Sequence, residues 1–253
     1  MPRLLAGEFR KLFTTRLWLW LLGASAAITA LYVVLDIAFA DTPGTWTMPL
    51  STPQGQRTLL AIGAGGAPLV AVLGAIGLTG EFRHRTATAT FLATPHRGRV
   101  VAAKLAVYGL VGVGYGLSGI AVTVAIVMPW LASNHIHWVL DGGDVATTLA
   151  GVIATMAILG IVGVGLGALV QEQVAAVVGL LVWLFVVERI LTSFSALQSW
   201  TIYLPGQAQE ALSGSVLTNQ RLLQPWQGGL VLAAYGIALA LVGTRLALRR
   251  DVT

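Results

Sequence analysis

Apolar residues run through this chain in six long stretches that are separated by shorter polar segments. The stretches cover about residues 17–40, 59–79, 105–131, 145–170, 174–194 and 228–248. An α-helix needs roughly 20 apolar residues to cross the hydrocarbon core of a bilayer. Because lipid offers no hydrogen bonds to the backbone, each stretch is predicted to be a helix. The pattern indicates an all-α integral membrane protein with six transmembrane helices.

The residues before the first stretch show helical spacing of apolar positions instead of a continuous run. Charged residues lie between these apolar positions, which are Leu4, Leu5, Phe9, Leu12 and Phe13. This pattern predicts an amphipathic interfacial helix over residues 1–16, and the alternative is a plain positive flank of the first span. A signal-peptidase site before Asp41 is disfavoured, because the apolar stretch is longer than the core of a signal peptide.

Two further features of the apolar pattern predict irregular structure. Pro68 lies inside the second stretch, and proline frees backbone groups, so a kink is expected near Ala64. Residues 195–227 are too apolar for a free loop, but Pro205, Gly206 and Pro225 break them too often for a span. We expect short re-entrant helices there, at the exterior side, before the last span.

Composition and charge support this architecture and orient it. The chain has 253 residues, of which 56% are hydrophobic and 10% charged, and its mean hydropathy is +0.81. With the N-terminus inside, twelve of the fifteen basic residues fall on the cytoplasmic side. The positive-inside rule therefore predicts that both termini are cytoplasmic. The basic residues flank the spans, so we expect no nucleic acid as a partner and a single transmembrane domain over residues 1–253.

The polar segment 81–104 is the longest basic stretch in the chain. Against one acid, Glu81, it carries two histidines and five basic residues: His84, His96, Arg83, Arg85, Arg97, Arg99 and Lys104. This balance predicts a cytoplasmic loop. We interpret it as the surface on which a cytoplasmic partner acts, and anionic lipid is the alternative ligand for its arginines.

Motifs for chemistry on the chain itself are absent from the sequence. There is no Walker A pattern, no HExxH and no GxSxG, and the chain has no cysteine. His135, His137, Asp141 and Asp144 are metal-ligand types, but nothing fixes their geometry, so we favour a solvated loop over a metal site. We expect no catalytic residue, no bound cofactor and no enzyme activity of the chain by itself.

Ionisable residues are rare inside the predicted spans. Asp36 and Glu188 lie near outer ends, which argues against ion-coupled transport and against a polar channel. Glu188 and Arg189 have two interpretations, either a gate along a translocation path or a pair at the outer interface that reaches water. We favour the second interpretation. Energy for transport must then enter from outside the chain, and the basic segment is the candidate entry point.

The basic segment carries a resemblance to a known family. Its positions Glu81, Phe82, Arg83, His84, Arg85, Thr86, Phe91, Pro95, Arg97 and Lys104 resemble the loop between spans two and three in the permease subunit of type-2 ABC exporters. One departure is Arg85, where that family usually has glycine. The architecture resembles the family over nearly the whole chain, whereas the motif covers about 24 residues.

The resemblance implies a half-transporter in a bacterial inner or plasma membrane. Two copies of a separate ATP-binding cassette ATPase would carry ATP and Mg, and a second permease chain, identical or related, would complete the complex. The coupling helix that docks on the ATPase would include Glu81, Phe82, Arg83, His84, Arg85, Thr86, Phe91, Pro95 and Arg97. A hydrophobic or amphipathic substrate, such as a drug, a peptide antibiotic or a lipid, would be exported.

A membrane sensor or assembly protein that does not transport is the alternative from another class. In that case the basic loop would bind only a partner or anionic lipid. A small-molecule channel is a third interpretation.

Overall fold

The computed structural model describes residues 2–40, 42, 47–83, 97–214 and 222–249. Its helices are α1 (Pro2–Thr14), α2 (Leu17–Phe39), α3 (Pro53–Ala61), α4 (Ala67–Arg83), α5 (Arg97–Ser133), α6 (Gly142–Val170), α7 (Gln173–Val182), α8 (Glu188–Ser193), α9 (Gln198–Thr201), α10 (Pro205–Ser213) and α11 (Pro225–Arg249). Short 3-10 helices cover Ile62–Ala64 and Ser195–Leu197, and a π-helix covers Trp183–Val187.

Six helical stretches within these residues are long and apolar enough to cross a membrane, which confirms the predicted number of spans. They are α2, α3 with α4, α5 from Gly98, α6, α7 with α8, and α11 up to Gly243. We number them spans 1 to 6. The end of the bundle that carries α1 is called the α1 end below, and the other is called the opposite end.

Several helices extend beyond the limits that the apolar pattern predicted. Span 2 begins at Pro53, six residues before the predicted start, because Thr52 caps it. The Thr52 hydroxyl accepts a hydrogen bond of 3.1 Å from the Gly55 N–H, and Pro53 suits the first helical position. At the α1 end, α4 runs to Arg83 and α5 begins at Arg97. Residues 81–83 and 97–104, the two ends of the predicted polar loop, are therefore helical.

The predicted kink near Ala64 is confirmed as a break between α3 and α4. A 3-10 turn occupies Ile62–Ala64, and α4 starts again at Ala67 with Pro68 in its first turn, where a missing N–H costs nothing. Span 1 lies against this break. A methyl group added to Gly65 would come within 3.0 Å of the Tyr32 ring.

Span 4, formed by α6, is the centre of the bundle, and its glycines touch the backbones of its neighbours. A methyl group added to Gly167 would lie 2.8 Å from the Ala75 carbonyl oxygen of span 2, and one added to Gly165 would lie 2.9 Å from the backbone nitrogen of Ala240 in span 6. From span 3, Gly112 is in equally close contact with Ala157. Small residues thus let the helices approach closely, as lipid-embedded helices require.

Spans 1 and 5 lie at the periphery and remain mostly exposed within the chain. Large apolar side chains cover the outer surface of span 5, among them Val174, Val178, Phe185 and Ile190. Such a surface is suited to an apolar solvent.

The described part of the segment before span 6, residues 195–214 and 222–224, contains short helices. Of these, α10 is packed on the start of α11, where a methyl group added to Gly228 would lie 2.9 Å from the Ala211 side chain. The other side of α10 reaches span 4, because Gly151 leaves room for the Leu212 carbonyl. Neighbouring helices therefore cover α10, whereas residues 195–200 are exposed.

Candidate functional site

A cluster of four charged side chains lies at the α1 end, and Lys104 is its buried centre. Lys104 is 1% exposed in the second turn of span 3. Its ammonium donates to Glu8 Oε2 at 2.5 Å, to Glu81 Oε1 at 3.2 Å and to the Gly77 carbonyl oxygen at 3.1 Å. These contacts join α1, span 2 and span 3 at one point.

Lys11 closes the cluster from the solvent side. Its ammonium lies 2.8 Å from Glu8 Oε1 and 2.8 Å from Glu81 Oε1, and its side chain is 49% exposed. Two cations therefore face two anions, so the group is neutral as a whole. We call Glu8, Lys11, Glu81 and Lys104 the charge cluster.

Tyr108 bounds the charge cluster on the apolar side. Its ring is one turn along span 3 from Lys104, with the centroid 5.9 Å from the ammonium. Gly77 makes room for this ring, because a methyl group there would collide with the phenol. The aromatic face adds a further favourable contact to the buried cation.

The position of Glu8 follows from the helical period of α1. Leu5, Glu8, Phe9 and Leu12 are spaced so that they share one face, and this face lies against the bundle. Leu12 is 5% exposed and Glu8 is 6% exposed. The sequence does carry a signal for this contact, because Glu8 is an acid within an apolar stripe. The sequence analysis did not use that signal to predict a buried cation as the partner of Glu8.

Two charged groups of α1, Glu8 and Lys11, remain ionised because they are paired. Burial opposes ionisation of Glu8, but Lys104 and then Lys11 outweigh burial and lower the pKa of the Glu8 carboxyl. Burial also opposes the charge on Lys11, yet hydrogen bonds to Glu8 and Glu81 raise the pKa of the Lys11 ammonium. Both residues therefore remain charged at neutral pH.

The structure describes only some of the predicted docking residues. Glu81 is 9% exposed, lies in the last turn of α4 and contacts two lysines. Phe82 is half-buried against the core. Arg83 is exposed and donates at 3.3 Å to Gln173 Oε1.

The remaining docking residues lie in sequence between the end of α4 and the start of α5, two helices that the charge cluster joins. Arg97 begins α5. The others lie outside the described residues: His84, Arg85, Thr86, Phe91 and Pro95. We call residues 84–96 the basic loop.

The turn between spans 4 and 5 is also at the α1 end. Gln171 ends α6 in the left-handed conformation, with φ of 61°. Glu172 then caps α7, because its carboxylate accepts from the backbone N–H groups of Ala175 and Val174. These donors lower the pKa of the Glu172 carboxyl. The contact of Arg83 with Gln173 ties this turn to the end of span 2.

At the opposite end, Glu188 is buried and held by three donor contacts. It is 4% exposed, and its Oε1 accepts from the Trp183 indole N–H at 2.8 Å. The Gly206 N–H at the start of α10 lies 2.9 Å from Oε2 and 3.1 Å from Oε1. Arg189 is exposed. The favoured interpretation, in which both side chains reach water, therefore does not describe Glu188.

Glycine at position 206 is what allows this contact. A methyl group there would collide with the Glu188 carboxylate, whose Cδ would lie only 3.1 Å away. The first backbone N–H groups of a helix attract an anion, so the start of α10 suits the carboxylate. Span 5 and α10 are thereby fastened together.

Glu210 is a second acid of this region that the sequence analysis did not single out. It lies one turn after Gly206 in α10, and its Oε2 is buried. Burial raises the pKa of the Glu210 carboxyl to about 7, while Arg189 lowers it and Glu188 raises it further.

The loop that carries His135 and His137 uses its polar groups for structure. The Asp141 carboxylate accepts at 2.7 Å from the Asp144 N–H and caps α6, and Asp144 pairs with Arg57. The His137 carbonyl accepts at 2.9 Å from Gln56. Among the residues that the structure describes, no group of three His, Asp or Glu side chains is arranged for a metal ion.

Comparison with models of known protein families found no match, and comparison with curated proteins found no relative.

Proposed function

We propose that this chain is the membrane subunit of an ATP-driven exporter and that it works with a separate ATP-binding cassette ATPase. The single observation that carries the proposal is the charge cluster at the roots of the basic loop. Lys104 lies near the start of span 3 and Glu81 near the end of span 2, and one ion pair of 3.2 Å links the two spans. A force on the basic loop is therefore delivered to both spans.

The chain needs such an input because its sequence contains no nucleotide-binding motif. In the proposed complex, two ATPase copies bind ATP and Mg, and each receives the basic loop of one permease chain. Two permease chains, identical or related, enclose the path. Both termini and the basic loop face the cytoplasm, α1 lies at the inner surface, and α10 dips into the outer leaflet.

A hydrophobic or amphipathic substrate fits this proposal better than an ion. The spans expose large apolar side chains, and the ionisable groups described above lie at the two ends of the bundle. A substrate taken from the membrane, such as a drug, a peptide antibiotic or a lipid, would meet little polar surface.

Transport provides the direct test. The chain would be co-expressed with any ATP-binding cassette protein encoded by a neighbouring gene, and inside-out vesicles would be loaded with a fluorescent phospholipid or a lipophilic dye. We expect ATP-dependent movement that a hydrolysis-deficient ATPase abolishes. If the basic loop binds anionic vesicles but the complex shows no ATP-dependent movement, the sensor interpretation is correct.

Orientation is tested with single cysteines, since the natural chain has none. T14C at the end of α1 and A132C at the end of α5 are both at exposed positions. A membrane-impermeant maleimide added to intact cells is expected to label A132C and to leave T14C unlabelled. The reverse result would put the basic loop outside the cell and end the proposal.

Glu188 is the proposed gate residue at the opposite end. Its hydrogen bond to Gly206 holds span 5 against α10, and opening an outward path there requires that this contact breaks. Arg189, which is exposed beside it, belongs to the same proposed gate. E188Q weakens the contact with little change in shape and is expected to alter the transport rate. Unchanged transport by E188Q would remove the gate from the proposal.

A further inference from the structure

The charge cluster joins three parts of the chain that are distant in sequence. Glu8 and Lys104 are 96 residues apart, and Lys11 and Glu81 are 70 residues apart. Each carboxylate contacts both lysines, so α1 is bound to the end of span 2 as well as to the start of span 3. No chain connection near this point would otherwise force α1 to follow those two spans.

We propose that the charge cluster locks α1 to both roots of the basic loop, so that α1 moves with spans 2 and 3 when a partner displaces that loop. Lys104 and Glu8 are the positioning residues of this lock. The inference rests on the proposed function for the source of the movement, but the lock itself is a property of this chain alone.

The burial of the charges explains why separating α1 from the two spans is unfavourable in free energy. If α1 moved away, the Lys104 ammonium, whose side chain is 2% exposed, would lose its 2.5 Å contact with Glu8, and breaking a buried ion pair is strongly unfavourable. Glu81 would lose Lys11 in the same movement. An apolar contact tolerates sliding, whereas charged groups at hydrogen-bond distance hold one position.

Lys11 contributes differently from Lys104. Half of its side chain is exposed, so water can replace its partners, and an exposed ion pair contributes little. The lock therefore depends on the buried pair of Glu8 and Lys104.

The first experiment measures the docking of α1 with a cysteine on its buried face. L12C replaces a side chain that is 5% exposed, and T14C lies at an exposed position of the same helix. In the purified chain, a maleimide is expected to label L12C several-fold more slowly than T14C. The double substitution E8Q/K104M removes one anion and one cation together, so the remaining Lys11 and Glu81 still balance.

In E8Q/K104M the labelling of L12C is expected to rise towards the rate of T14C. The matched control is R57M/D144N, which removes an ion pair at the opposite end and is expected to leave L12C protected. Protection of L12C that persists in E8Q/K104M would overturn the lock, because apolar contacts alone would then hold α1.

The second experiment measures transmission in the complex with the ATPase. E8Q/K104M is expected to retain ATP hydrolysis, but the ratio of substrate transported to ATP hydrolysed is expected to fall to a small part of its value in the natural complex. An unchanged ratio in a complex that transports would overturn the role of α1. A natural chain that shows no ATP-driven transport would instead overturn the proposed function, and the labelling result would still decide whether the lock exists.

Discussion

Removal of the Lys104 charge is predicted to be among the most damaging single changes at the α1 end. K104M keeps an unbranched apolar side chain of similar length, so the main loss is the ammonium and its three contacts at 2.5, 3.1 and 3.2 Å. Glu8 and Glu81 then share only Lys11 while they remain 6% and 9% exposed. Breaking a buried ion pair in this way typically costs about 3–5 kcal/mol.

K11M is the matched control, because it removes a lysine from the same cluster. Lys104 still contacts both acids after this change, and the lost lysine was 49% exposed. Exposed ion pairs contribute about 0–1 kcal/mol, so K11M is expected to be mild. The two variants differ in burial and not in the charge removed.

The double substitution E8Q/K104M completes the test. Replacing both partners of a buried pair is often close to neutral, so the double variant is expected to be more stable than K104M alone. Unfolding midpoints in mild detergent, followed by tryptophan fluorescence, would measure the free energy differences. If K104M is no more destabilising than K11M, burial does not govern this cluster and the reasoning is wrong.

Three further predictions concern other parts of the fold. G163A places a methyl group against the span 2 backbone and should lower the free energy of unfolding by about 1–3 kcal/mol through overpacking. In the same unfolding assay G114A should be neutral or stabilising, because its methyl group meets nothing within 4 Å. The pKa of Glu210 is raised to about 7, so between about pH 4 and 7 the folded chain binds more protons than the unfolded chain. Stability should therefore fall as the pH rises from about 4 to 7, and E210Q should flatten this profile. A profile that E210Q leaves unchanged would contradict the prediction. G206A should separate α10 from Glu188 and lower the unfolding midpoint by the equivalent of about 1.5–3 kcal/mol, the contribution of a charged hydrogen bond.

The six spans and the break before Pro68 were predictable because lipid imposes them locally. A helix that crosses a bilayer must be long and apolar whatever lies beside it, and proline removes a donor in any helix. The ends of the helices were less predictable. Span 2 starts at Pro53 because of the Thr52 cap, and such a cap can add a polar first turn to an apolar run.

The charge cluster was not predictable, because its pairs are formed across the fold. The sequence analysis treated Glu81 and Lys104 only as parts of the basic segment 81–104, because each was considered with its neighbours in sequence. Only tertiary packing brings Glu8 within 2.5 Å of Lys104. The same applies to Glu188, whose partner Gly206 lies 18 residues further along the chain.

The glycines of α6 restrict how the bundle can change shape. Gly160, Gly163 and Gly167 lie so close to the backbones of spans 2 and 3 that no methyl group would fit between them. Turning α6 about its own axis by one residue position, about 100°, would present Val162 or Val164 to the carbonyl that Gly163 now meets. Rotation of span 4 about its own axis is thus opposed by close backbone contacts, so spans 2, 3 and 4 are expected to move together while the loosely packed spans 1 and 5 tilt around them.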